Sequence, residues 1–137
     1  MYTLTSAKGS FTGTLTAICN WQAEMQAAFA SIQIKYPEGD TTEVGIDNID
    51  FDPENLEPAI AAVTKRVAAC EALKPAHVEY HAAKGNKTYV QIRAGFQEGK
   101  GKELASQTFG GQPGNRAEDC YAAWIHPMAK QLGVRFQ

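Results

Sequence analysis

The sequence predicts an α+β protein in which helices pack on antiparallel sheet. Three observations carry this: alternating apolar and polar residues near the N-terminus, a similar alternation between residues 78 and 94, and two long segments with helical apolar spacing. At 137 residues, with 44% hydrophobic and 20% charged residues, the chain has ordinary globular composition and the size of one domain, taken as residues 1–137.

Residues 2–6 and 11–18 alternate around Lys8-Gly9-Ser10, and threonines at 3, 5, 12, 14 and 16 add strand propensity, so the chain opens with a hairpin. Asn20 can cap a helix starting at Trp21, with Trp21, Met25, Phe29 and Ile32 on its core face. Tyr36–Asp40 breaks that helix, and Thr42–Ile46 reads as a short strand.

The second helix follows Asp52-Pro53 and Asn55, which offer capping chemistry. Pro58 is tolerated in a first turn that needs no internal donor. Its stripe is Leu56, Ile60, Val63, Val67 and Cys70, and Lys74-Pro75 ends it. A second hairpin places Val78, Tyr80 and Ala82 opposite Thr88, Val90, Ile92 and Ala94 across a Gly85-Asn86 turn.

Glu103–Phe109 extends the second hairpin to a three-stranded meander, after the glycine- and lysine-bearing loop 95–102. Gly110–Gly114 is a break, and Asn115 with Glu118 makes a capping-box start for the last helix. Ala117, Tyr121, Trp124, Ile125, Met128 and Leu132 form its buried side, Pro127 should kink or divide it, and Gly133 closes it. The predicted order is ββα(β)αβββα. Residues 55–133 share element order with double-stranded RNA-binding domains. The last helix, however, opens Asn115-Arg116-Ala117-Glu118-Asp119 where that family places a lysine cluster, so no family membership is assigned.

The start of the chain lacks a basic, apolar leader, and the longest apolar run, Ala59–Val63, is too short to cross a bilayer. Cys19, Cys70 and Cys120 are about fifty residues apart, which fits free thiols in a reducing cytoplasm. Catalytic signatures are missing. There is no Gly-x-Ser-x-Gly elbow, Gly95–Gly101 lacks the ending of a phosphate-binding loop, and Asp47–Glu54 lacks the glycine of a calcium loop. His77, Glu79 and His81 share a strand face. The two histidine backbones lie about 13 Å apart on a straight strand, which argues for a solvated face and not a metal site. No metal, cofactor or catalytic residue is assigned.

Charge is segregated. Residues 36–57 hold Glu38, Asp40, Glu43, Asp47, Asp50, Asp52, Glu54 and Glu57 and no basic residue, a net −8. Residues 1–35 carry +1 and residues 58–137 carry +5. Eight crowded carboxylates must be largely solvated, and such a ribbon steers onto a basic surface. The expectation is a non-enzymatic interaction protein, without membrane contact, whose acidic residues engage a basic nucleic-acid-handling complex. The most specific form is a phage or mobile-element inhibitor of the anti-CRISPR or anti-restriction kind. The alternative is direct RNA or DNA binding by Lys84, Lys87, Tyr89, Arg93, Lys100, Lys102 and Arg116. A third reading is a nucleotide-sized ligand held by Arg93, Arg116 and aromatics between sheet and last helix.

Overall fold

In the computed structural model, described over residues 1–110 and 115–137 with the side chains of Asn115 and Arg116 left aside, the chain is α+β. It divides into two compact units, Met1–Ala72 and Leu73–Gln137.

In the first unit, β1 (Tyr2–Ser6) and β2 (Gly9–Gly13) form the expected hairpin, with Leu4 opposite Phe11. The strand does not continue to residue 18. Thr14 turns out of the sheet, and its Oγ1 accepts the Ala17 amide at 3.2 Å, so Thr14 and not Asn20 is the cap and α1 (Leu15–Met25) starts six residues before the predicted start at Trp21. That helix also ends sooner than its apolar spacing suggests. Gln26 adopts a left-handed conformation, and Ile32 lies not on a helix but on β3 (Ser31–Lys35). The alternation Ile32, Ile34 and Tyr36 buried, Gln33 and Lys35 exposed, is a strand period that outcompetes the helical one.

The fourth strand, β4 (Thr41–Gly45), completes an antiparallel sheet of order β2-β1-β3-β4. Helices α1 and α2 (Glu57–Glu71) contact each other, α1 lying along β1 and β2 and α2 along β3 and β4. Leu4, Ile18, Ile32, Val44, Val63 and Val67 form the core between them. Each such side chain, fully buried, contributes about 1.5–3 kcal/mol. Asn55 does not cap α2: Leu56 is the capping residue, without a side-chain bond, and Pro58 occupies the first turn as predicted.

In the second unit, β5 (Lys74–Ala83), β6 (Lys87–Ala94) and β7 (Glu103–Phe109) form the predicted meander, with Val78 opposite Ile92 and Tyr80 opposite Val90. Helix α3 (Asn115–Leu132) lays Trp124, Met128 and Leu132 against Ile92, Val78 and Ala76. Pro127 does not divide α3. The carbonyl it deprives of a donor belongs to Ala123, which is exposed and can be hydrated. Gly133, at φ +66°, reverses the chain, and β8 (Val134–Phe136) pairs parallel with β5. This strand was not predicted; three residues give no readable period. The second sheet is therefore mixed, of order β7-β6-β5-β8. Of the predicted break Gly110–Gly114, residues 111–114 lie outside the described residues, as does the side chain of the predicted cap Asn115.

Candidate functional site

The acidic segment forms one edge of the first unit. Glu38 and Asp40 stand at the β3–β4 connection, Glu43 on the outer edge strand β4, Asp47 to Glu54 in the following loop, and Glu57 at the start of α2. The loop is built, not slack. Ile46 and Phe51 are buried and Ile49 is half-buried, while the Ile46 amide bonds the Ala30 carbonyl at 3.0 Å. Apolar anchors at 46, 49 and 51 leave Asp47, Asp50 and Asp52 facing outward.

Seven of the eight acids are exposed, and Asp40 is half-buried. Asp47 Oδ1 accepts the Ala30 amide at 2.7 Å and Asp52 Oδ1 the Glu54 amide at 3.0 Å. Among the described residues, the carboxylates of Glu43, Asp50, Glu54 and Glu57 make no hydrogen bond or ion pair, while Glu38 and Asp40 take part in interactions. Arg66 on α2 bonds Asn48 Oδ1 and the Gly45 carbonyl instead of a carboxylate.

Beside this edge, at the C-terminal end of α1, lies a groove of about 460 Å³ lined in part by Gln22, Gln26, Phe29, Asp47, Asp50 and Phe51. Gln22 is 5% exposed; its Nε2 donates to the Ala27 carbonyl at 2.8 Å, and its Oε1 has no hydrogen-bond partner. The bond to a carbonyl fixes which amide atom is which. Phe29, expected in the core, is 81% exposed and sits at φ +57°.

The basic residues of the alternative reading belong to the second unit, and most are spread out or already engaged. Lys84 and Lys87 flank the exposed hairpin turn, whereas Arg93 lies six residues along β6 from Lys87, about 20 Å on an extended strand. The Arg93 guanidinium donates twice to the Gly101 carbonyl, at 3.0 and 2.8 Å. Tyr89 gives its hydroxyl to Glu103, which also takes Gln91 at 2.7 Å; these bonds hold the Glu103 carboxyl below the usual range. Lys100 and Lys102 are exposed in the loop after β6, and the Arg116 side chain is outside the described residues.

The strand triplet differs from the solvated face predicted for it. Glu79 is 5% exposed, because the loop 95–102 folds back over it: the Gly99 amide donates to Oε2 at 2.9 Å. A side chain at Gly101 would collide with the Ala94 carbonyl, so this approach requires glycine. His77 Nε2 donates to Glu79 at 2.6 Å and its Nδ1 to the Gly95 carbonyl at 2.7 Å, while His81 Nε2 lies 3.2 Å from the other carboxylate oxygen. With both ring nitrogens facing acceptors, the surroundings of His77 favour the imidazolium form. Burial opposes that charge, but the bonds to Glu79 and Gly95 outweigh it and raise the His77 pKa above 6.5. The His77 bond, then the Gly99 amide, lowers that of Glu79. Neither His77 nitrogen keeps a lone pair for a metal, and among the described residues no group of three or more ligating side chains could hold one.

A second, apolar groove of about 710 Å³ opens between the sheet of the second unit and α3, lined by Val78, Tyr80, Tyr121, Ile125 and Phe136 among others. Tyr80 and Tyr121 meet at 5.4 Å between ring centroids. Arg93 points to the opposite face of that sheet, toward Glu79, so it and these aromatics do not make one ligand site.

Comparison with protein families, with curated proteins and with solved structures finds no match. Among the described residues, no helix is long and apolar enough to cross a membrane. Sequence reasoning missed Gln22, placed Phe29 in the core and read Glu79 as solvated. For Gln22 a signal existed: a glutamine four residues after Ile18, on the buried side of a helix, must find a partner for each of its polar atoms.

Proposed function

We propose that the chain works by protein–protein contact, docking the acidic edge of its first unit on a basic protein surface. One observation carries the reading. The carboxylates from Glu43 to Glu57 stand outward along a sheet edge and a rigid loop, and the molecule's own lysines and arginines do not neutralise them. Leaving like charges crowded works against folding, and the same field accelerates encounter with a cationic partner. Held in fixed positions, they resemble the phosphates that nucleic-acid-handling proteins grip, so the partner is of that kind and the protein acts as its inhibitor by competing with nucleic acid. This reading requires no catalysis.

The test compares the full chain with the variant Asp47→Asn, Asp50→Asn, Asp52→Asn, Glu54→Gln as affinity baits in a host lysate, with captured proteins identified by mass spectrometry. The expected result is a basic nucleic-acid-binding partner held by the native chain, released as salt rises from about 50 to 200 mM, and lost by the variant at unchanged circular dichroism. Equal capture by the variant refutes the reading.

A further inference from the structure

We propose that the groove at the C-terminal end of α1 receives a guanidinium group, that of an arginine on the basic partner protein. This rests on the acidic-edge reading and gives it a specific point of contact.

Every polar side chain with a known role at this groove presents an acceptor. Asp50 has a free carboxylate. Asp47 uses Oδ1 for the Ala30 amide and keeps Oδ2. Gln22 is 95% buried, its Nε2 donates to the Ala27 carbonyl, and its Oε1 is left without a partner. A buried acceptor without a donor is costly, and a ligand that brings N–H groups removes that cost. Gln26 spends its amide donor on the carbonyls of Ala23 and Phe51. No lysine, arginine or histidine lines the groove.

One further feature favours a cation; the C-terminal end of α1 adds nothing to it, because Lys8 Nζ already bonds the Met25 carbonyl at 2.7 Å. Phe29 offers an aromatic face, 81% exposed, from a left-handed backbone conformation that a β-carbon disfavours. Exposure and an unfavourable conformation both oppose placing phenylalanine there for the sake of folding. A planar group with five donors that stacks on a ring and bonds carboxylates is a guanidinium, and a compact ammonium or metal ion fits the combination less well. Among the described residues no three histidine, cysteine or carboxylate side chains gather here to hold a metal.

The experiment is a titration of the ¹⁵N-labelled full chain with N-acetyl-arginine methylamide, followed by amide shifts. The neutral isostere N-acetyl-citrulline methylamide, the lysine analogue and calcium chloride serve as the other arms. The expected result is saturable shifts at the Gln22 side-chain amide and the Ala30 and Asp50 backbone amides, from the arginine probe and more weakly from lysine. Asp50→Asn should weaken this about tenfold and Phe29→Gly about threefold. Both positions are exposed, so the variants should fold. No saturable shift at these amides, an equal response to citrulline, or a response to calcium alone overturns the inference, even where the four-residue variant loses its partner. A responsive groove together with a partner retained by that variant, which lacks both groove carboxylates, shows that the groove binds guanidinium but refutes both the acidic edge and the partner's arginine as the occupant.

Discussion

Replacing Phe29 separates backbone strain from side-chain packing. Phe29 holds φ +57°, where an L-residue pays about 1–2 kcal/mol for its β-carbon. Glycine removes that term but loses about 0.4–1 kcal/mol through its freer unfolded chain. Alanine keeps the strain, and both substitutions remove the same ring, which is 81% exposed and so contributes little burial. Phe29→Gly should therefore be more stable than Phe29→Ala by about 1 kcal/mol, the reverse of their order in a helix interior. For a unit of this size that difference is about 4–8 °C in Tm, within reach of calorimetry or urea titration. Glycine equal to or below alanine would show that the ring and not the backbone sets the cost, and would remove strain from the case for the arginine groove.

Stability of the second unit should peak in mid-acid pH. The raised His77 pKa adds stability that is full below 6.5 and lost as pH rises through the folded value, and the lowered Glu79 pKa adds stability present above 4.5 and lost as pH falls through its own. Both act between those limits. The check is a series of urea unfolding curves across pH, with His77 ring-proton shifts titrating above 6.5; Glu79→Gln should bring that midpoint down, because burial then acts without the carboxylate. Ile32→Ala, at a side chain with no exposure in the first core, should cost about 2–5 kcal/mol in urea unfolding, and a loss under 1 kcal/mol would place the residue outside a packed core. Cys19 is buried and its thiol is pushed up to about 11, so a thiol reagent should reach it only in denaturant. Fast labelling of Cys19 in the native chain would contradict this.

Where one apolar period stood alone, the sequence could be read directly. Val78–Ala82 against Thr88–Ala94, Glu103–Phe109, and the stripe from Leu56 to Cys70 all occupy the predicted elements. Where two periods overlapped, it could not: Trp21, Met25, Phe29 and Ile32 fit a helix, while Ile32, Ile34 and Tyr36 fit a strand. Pairing with β1 and β4 decided for the strand, because Leu4, Ile32 and Val44 then lie side by side in one core. That same choice turned residues 26–30 into a tight connection and put Phe29 in solvent.

The site divides in the same way. Composition along the chain determined that eight carboxylates occupy one basic-free segment, since charge order is a property of the sequence itself. Tertiary structure decided which carboxylates stay solvated. Three apolar anchors turn Asp47, Asp50 and Asp52 outward, whereas a loop that folds over β5 buries Glu79 between two histidines. Burial and hydrogen bonding depend on what the distant chain brings near. For that reason Gln22, whose partnerless oxygen arises only when α1 meets the 26–30 turn, has no meaning as a site until the chain has folded.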